Sequence, residues 1–275
     1  MLTNSLRRAL ALIFLVATAM PSAAESASLA GPLTGATIVE PLVALPSLDQ
    51  PAAPQSASVA GQSEGAIERA KDFAYLLRRP EEKEATCTIV LLHGSGGDES
   101  SLMALATKIA PDALVLGVRG RVSQEGISRW YRRLTPTSFD QQDVRSEAEA
   151  FAGFLSAVAA EQKLDLNEAI FIGYSNGANL IGALTLLHPG LVHRAVLLRA
   201  MPVLEKAPET RLGNADILTI AGSSDLTYGP FAPQLEELLS GRGARVKSHM
   251  IDSDHGIGDE DARLVREWLA LAAAE

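Results

Sequence analysis

From about residue 65 onward, short apolar runs alternate with stretches whose apolar positions recur at helical spacing. The runs Asp72 to Arg78, Thr86 to Leu92, Ala113 to Arg119, Ala169 to Gly173, Ala195 to Ala200, Asp216 to Ala221 and Val246 to Ile251 predict strands. The second of these is apolar on both faces, as a central strand should be. Between them, helices are predicted over Ser100 to Ile109, Gln142 to Gln162, Asn176 to His188, Pro233 to Leu239 and Asp259 to Ala273. Val144, Ala148, Phe151, Phe154 and Leu155 fall on one face of the longest, and Pro189-Gly190 stops the third. Strands alternating with helices imply right-handed crossovers and an α/β domain with a mostly parallel central sheet, helices covering both faces. In such sheets the chemistry sits just past the carboxyl ends of the strands.

The chain before residue 65 has a different texture. Arg7 and Arg8 precede the apolar run Ala9 to Met20, and Pro21-Ser-Ala-Ala24 supplies small residues for a peptidase, which predicts a signal peptide over residues 1–24. The run is too short for the roughly 20 residues that span a bilayer. Export to the periplasm or medium is therefore expected, with a membrane tether through an uncleaved signal as the alternative. Residues 25–64 are rich in Ala, Ser and Pro with no sustained period and predict a flexible tether, leaving residues 65–275 for the domain.

The net charge is −9, and cleavage after Ala24 would remove two positive charges and no negative ones. Such a surface repels nucleic acid and anionic lipid, so neither is an expected partner. Composition does not decide the oligomeric state. Cys87 is the single cysteine and excludes an intramolecular disulfide; in its strand pattern it reads as a small apolar residue rather than a nucleophile.

The run Ala169 to Gly173 breaks abruptly into Gly173-Tyr-Ser-Asn-Gly177, and a helical pattern follows. A strand, a Gly-x-Ser-x-Gly turn and a helix form an elbow that exposes a nucleophilic serine at the top of a sheet. Ser175 is that serine. The helix beginning at Asn176 would aim its free N–H groups at a developing oxyanion, with the Asn176 amide as first donor. A serine hydroxyl needs an imidazole to take its proton and a carboxylate to orient that imidazole. Asp225 follows one predicted strand in Gly222-Ser-Ser-Asp225, and His255 follows another in Asp252-Ser-Asp-His255. Asp252 and Asp254 compete for the acid's role but lie close in sequence to His255. The order Ser175, Asp225, His255 is the one expected on this kind of sheet.

A second oxyanion donor is expected from Leu91-Leu-His-Gly-Ser-Gly-Gly97, where glycines let backbone approach a ligand, and the Ser95 amide is the candidate. Residues 119–143 are polar and aromatic without a clean period and predict a functional loop. Within it Trp130, Tyr131 and Arg132, followed by Arg133, are candidates to line the substrate pocket; the alternative is that the aromatics plug the core and the arginines pair with nearby acids.

Taken together, Leu92-His-Gly-Ser-Gly-Gly-Asp-Glu99, Arg119-Gly-Arg121, Gly173-Tyr-Ser-Asn-Gly-Ala-Asn179, Ala221-Gly-Ser-Ser-Asp225 and His255-Gly256 resemble the phospholipase/carboxylesterase, dienelactone-hydrolase-like family of α/β-hydrolases. The resemblance runs from about residue 70 to the C-terminus. It implies the α/β-hydrolase fold, Ser175 as nucleophile, Asp225 as acid, His255 as base, and Ser95 and Asn176 as oxyanion donors. It also implies a small-molecule ester substrate and no cofactor. Members commonly carry a proline after the aspartate, whereas Leu226-Thr227 follows here, and the exported N-terminus is unusual for the family. No histidine or cysteine spacing suggests a metal site. Thioesterase, lactonase or lysophospholipase-like activity would use the same triad, and a non-catalytic binding protein on the same fold is the reading from another class.

Overall fold

The computed structural model describes residues 65–80, 84–213 and 215–272. The expected signal peptide and tether lie outside the described residues, as does Ala273. Twelve strands and five α-helices are described: β1 (Ile67–Ala70), β2 (Phe73–Arg78), β3 (Thr88–Leu92), α1 (Met103–Ile109), β4 (Leu114–Arg119), β5 (Val122–Gln124), β6 (Ile127–Arg129), β7 (Arg133–Thr135), β8 (Ser138–Phe139), α2 (Gln141–Gln162), β9 (Ile170–Tyr174), α3 (Asn176–Leu187), β10 (Arg194–Leu198), β11 (Asp216–Gly222), α4 (Ala232–Ser240), β12 (Arg245–Ile251) and α5 (Asp259–Ala272).

Eight strands form one sheet in the order β1-β2-β4-β3-β9-β10-β11-β12. From β4 to β12 every neighbouring pair is parallel, while β2 runs antiparallel to both β1 and β4. This is the α/β-hydrolase fold. The period of two along each strand explains why both faces are covered. Val90, Leu92 and Phe171 point into a core shared with α2, α3 and α4. Their neighbours Ile89, Leu91, Ile170 and Ile172 point into a second core with α1 and α5. Asp140 caps α2, its carboxylate accepting from the amides of Gln142 and Asp143, both at 3.1 Å.

The chain turns back across β3 between β4 and β9, so the loops after β3 and β9 flank the crevice where such sheets place their sites. Two features lay beyond the periodicity. β1 is a four-residue edge strand with no buried position, joined to β2 by Lys71 and Asp72, both at positive φ. A turn of that shape normally advertises itself by Asn-Gly or Gly-Gly. The segment 119–143, expected as a loop, holds two hairpins, β5 with β6 and β7 with β8. Strands of two or three residues are too short to display a period.

Candidate active site

Ser175 follows β9 at φ 50° and ψ −113°, a conformation that non-glycine residues rarely hold, and it caps α3. The tightness of this elbow explains its glycines. A Cβ on Gly173 would lie 2.6 Å from the Ala178 backbone, and one on Gly177 would lie 2.3 Å from the Leu92 carbonyl oxygen. Neither gap admits a side chain. Asp225 lies three residues past β11 and His255 four past β12, on adjacent parallel strands.

These three side chains, 80 and 30 residues apart from His255 along the chain, meet. Ser175 Oγ lies 2.8 Å from His255 Nε2, and His255 Nδ1 lies 2.6 Å from Asp225 Oδ2. A carboxylate accepts, so Nδ1 carries the proton and Nε2 is left to accept from the serine hydroxyl. Burial alone would raise the Asp225 pKa. The hydrogen bond to His255 and the amides of Tyr228 and Thr227, each 3.0 Å from Oδ1, outweigh it, and the carboxyl is held below its ordinary value. Asp254 instead accepts from the Gly256 amide at 2.7 Å.

Two tyrosines enclose the imidazole. The Tyr174 ring centroid is 5.4 Å away and that of Tyr228 5.1 Å away, edge-on. Tyr174 also donates its hydroxyl to the His255 carbonyl at 3.0 Å. Burial pushes the Tyr174 phenol up to about 12 and raises that of Tyr228, so both stay protonated at neutral pH.

In the loop after β3, the Gly96 amide donates to the Ser128 carbonyl at 2.8 Å and the Gly97 amide to the Gly94 carbonyl at 3.1 Å. Among the described residues the amides of Ser95 and Asn176 find no acceptor. Both are available as donors. No group of three or more potential metal ligands gathers among the described residues.

No protein-family model matches the chain. The Bacillus subtilis protein MhqD, named as a hydrolase, is 30% identical over 181 residues, 66% of this chain and 90% of that protein. A solved carboxylesterase from Mesorhizobium loti is 47% identical with a TM-score of 0.72, covering 75% of this chain and 99% of its own. A Bacillus cereus carboxylesterase is 29% identical with a TM-score of 0.69, covering 73% and 94%. The chain belongs to the α/β-hydrolase carboxylesterases.

The remaining expected residues of this hydrolase fall in different places. Trp130 is 1% exposed, with its ring among Phe73, Phe151 and His93 and its indole N–H on the His93 carbonyl at 2.9 Å. It therefore fills the core behind the loop after β3 and has no free face for a substrate. Its backbone amide donates to Asn176 Oδ1 at 2.7 Å, tying the hairpin segment to the elbow. Tyr131 is fully buried, its hydroxyl without a hydrogen bond. Arg132 is exposed, and its backbone amide donates to Asp143.

Two contributors are not among the residues expected from the sequence. The first is His93, 1% exposed. Its Nε2 accepts from the Gly120 amide at 2.9 Å and its Nδ1–H donates to the Gly94 carbonyl at 2.6 Å, bracing the loop that presents Ser95. Burial, only partly offset by the Gly94 bond, pushes its pKa down to about 4. The unfolded chain, titrating near 6.5, then takes up the proton first as pH falls. Stability should accordingly drop by roughly 3 kcal/mol between pH 6.5 and 4 on this account alone, given about 1.4 kcal/mol per unit. Urea unfolding across that range is expected to show a drop smaller by this amount in His93→Gln than in the wild type; equal drops would assign the acid sensitivity to other groups.

The second is Arg199, just past β10 at φ 52° and 1% exposed. Its guanidinium holds the carbonyls of Ile220, Asp254 and Gly256, the Ser253 hydroxyl and both oxygens of Asp261, at 2.6 to 3.3 Å. Asp261 also accepts from the Gly258 amide at 2.8 Å. One buried ion pair thus staples the loop carrying His255 to β10, β11 and α5.

Proposed function

We propose that this hydrolase is an exported serine carboxylesterase acting through Ser175, His255 and Asp225. The observation that carries the reading is the unbroken relay of hydrogen bonds from Ser175 Oγ through the imidazole to the Asp225 carboxylate, 2.8 and 2.6 Å long. As Oγ attacks the ester carbonyl carbon, its proton passes to His255 Nε2, and the imidazolium is steadied by Asp225. The carbonyl oxygen takes up negative charge within reach of the Ser95 and Asn176 amides, each worth about 3 kcal/mol of barrier. The tetrahedral adduct collapses by breaking the bond to the alcohol oxygen, which leaves with the proton from Nε2. Water then attacks the acyl-Ser175 ester by the same route, releasing the acid and returning the proton to Oγ.

A fluorophosphonate probe tests the nucleophile. Covalent labelling of the wild-type protein and none of Ser175→Ala is expected; an unlabelled wild type, or equal labelling of both, overturns the reading. Rates on p-nitrophenyl esters of graded chain length, set against lactones and thioesters, rank the acyl groups the same machinery serves.

Export rests on Arg7, Arg8, the apolar run to Met20 and the small residues to Ala24. Protein recovered from outside the cytoplasm should begin at Glu25, as read by N-terminal sequencing. An intact Met1 terminus on soluble intracellular protein would exclude it.

A further inference from the structure

β6 lies over the loop after β3 and carries a buried charge that no carboxylate among the described residues contacts. Arg129 is 4% exposed, and its Nη1 donates to the Ser95 hydroxyl at 2.7 Å. Its Nε is buried without a hydrogen-bond partner, and among the described residues no carboxylate stands within ion-pair distance of the guanidinium. Arg133, Glu125 and the Tyr131 and Tyr228 phenols are near enough to act on it electrostatically, Arg133 with the same sign of charge and Glu125, not in contact, with the opposite one. The other buried arginine among the described residues is treated differently: Arg199 lies against Asp261.

Two more orphaned polar groups adjoin it. The Tyr131 hydroxyl and the Asn179 amide nitrogen are buried and face each other without closing a hydrogen bond of full geometry. Asn179 spends its carbonyl oxygen on the Met201 amide at 2.8 Å, so only its nitrogen is left to donate. Asn179 and Arg129 both act on the Tyr131 phenol, which places the three groups in one neighbourhood. All three can donate. Buried donors left without acceptors are costly, and an unpaired buried guanidinium more so, unless a ligand supplies the acceptors.

We infer that Arg129, with the Tyr131 hydroxyl and the Asn179 amide beside it, forms a subsite for a carboxylate on the substrate, so that half-esters of short dicarboxylic acids are preferred. This deepens the esterase reading and rests on it. The carboxylate is assigned to the acyl half for a geometric reason. His255 must face the departing alcohol, whereas Arg129 is bonded to the residue whose amide holds the oxyanion. A planar guanidinium also matches a carboxylate with paired hydrogen bonds, as an ammonium does not.

The test compares kcat/KM for mono-p-nitrophenyl glutarate with that for p-nitrophenyl valerate, which has the same leaving group and a similar chain length without the charge. The wild type is expected to favour the half-ester on the order of 10-fold or more, the range of a hydrogen bond to a charged group. In Arg129→Met that ratio should collapse by the same factor, and Arg129→Lys should retain part of it. A residue that merely supports the Ser95 loop would lower both rates together and leave the ratio unchanged, which overturns the subsite. So does a wild type that prefers the valerate. Fluorophosphonate labelling of each variant, read in parallel, separates the two levels: loss of label in the wild type strikes at the esterase reading, whereas intact label with an unmoved ratio strikes only at Arg129.

Discussion

Replacing Asp225 with Asn is expected to lower kcat on p-nitrophenyl esters about 10⁴-fold while leaving the fold intact. The reason is the direction of one proton. In the wild type the carboxylate accepts from Nδ1 at 2.6 Å, which leaves Nε2 unprotonated toward Ser175 at 2.8 Å. An asparagine amide of the same shape can keep donating neighbours on Oδ1, where Thr227 and Tyr228 supply two amides. Its nitrogen then faces Nδ1 and donates, so the proton moves to Nε2 and the base is lost. The imidazolium formed during attack also loses its counter-charge. Steady-state kinetics together with a thermal melt would check this. A variant with near wild-type kcat would mean that Asp225 does not orient His255 and that another acid, such as Asp252 or Asp254, does.

Arg199→Met should be the most destabilising single change among the residues discussed, costing about 3–5 kcal/mol, because it leaves the Asp261 carboxylate buried at 0% exposure without its cation. For a domain of this size that corresponds to a melting temperature lower by roughly 10 °C or more. Activity should also fall, on the order of 10²-fold per active site, since the carbonyls of Asp254 and Gly256 that flank His255 lose their anchor. A paired replacement separates the two effects. Arg199→Met with Asp261→Leu removes both charges and should regain most of the stability, as buried ion pairs replaced by apolar groups often do. It should not regain kcat, because the loop is still untied. If the double variant recovered full turnover per labelled serine, Arg199 would be a stabilising residue and not a positioning one.

How far the site could be read in advance depended on how local its determinants are. The elbow is local: a serine at positive φ between a strand and a helix needs a missing side chain two residues to either side, and Gly173 and Gly177 announce that in five letters. The positions of Asp225 and His255 were legible because each follows a predicted strand, and strand ends share one edge of a parallel sheet. His93 was overlooked because a histidine beside glycines looks like part of a turn, and its bond to Gly120 spans 27 residues. Arg199 sat at the end of an apolar run predicted to continue as strand through Ala200, whereas β10 stops at Leu198 and Arg199 turns inward. Trp130 was expected at the pocket; the Phe73 and Phe151 rings that enclose it come from β2 and α2, and no pattern within 119–143 refers to them.

The one-dimensional order of residues thus determined the class of fold, the strand ends and the tight turn that carries Ser175, because hydrophobic period and tight-turn sterics act over a handful of neighbours. The tertiary structure alone decided which buried charges are balanced. Arg199 and Arg129 are the same residue type, each close to the end of a strand, yet one pairs with Asp261 from α5 and the other bonds the Ser95 hydroxyl with no carboxylate in contact among the described residues. That difference arises from electrostatic pairing across 62 residues of chain, which depends on where whole elements come to rest and leaves no mark on the local sequence.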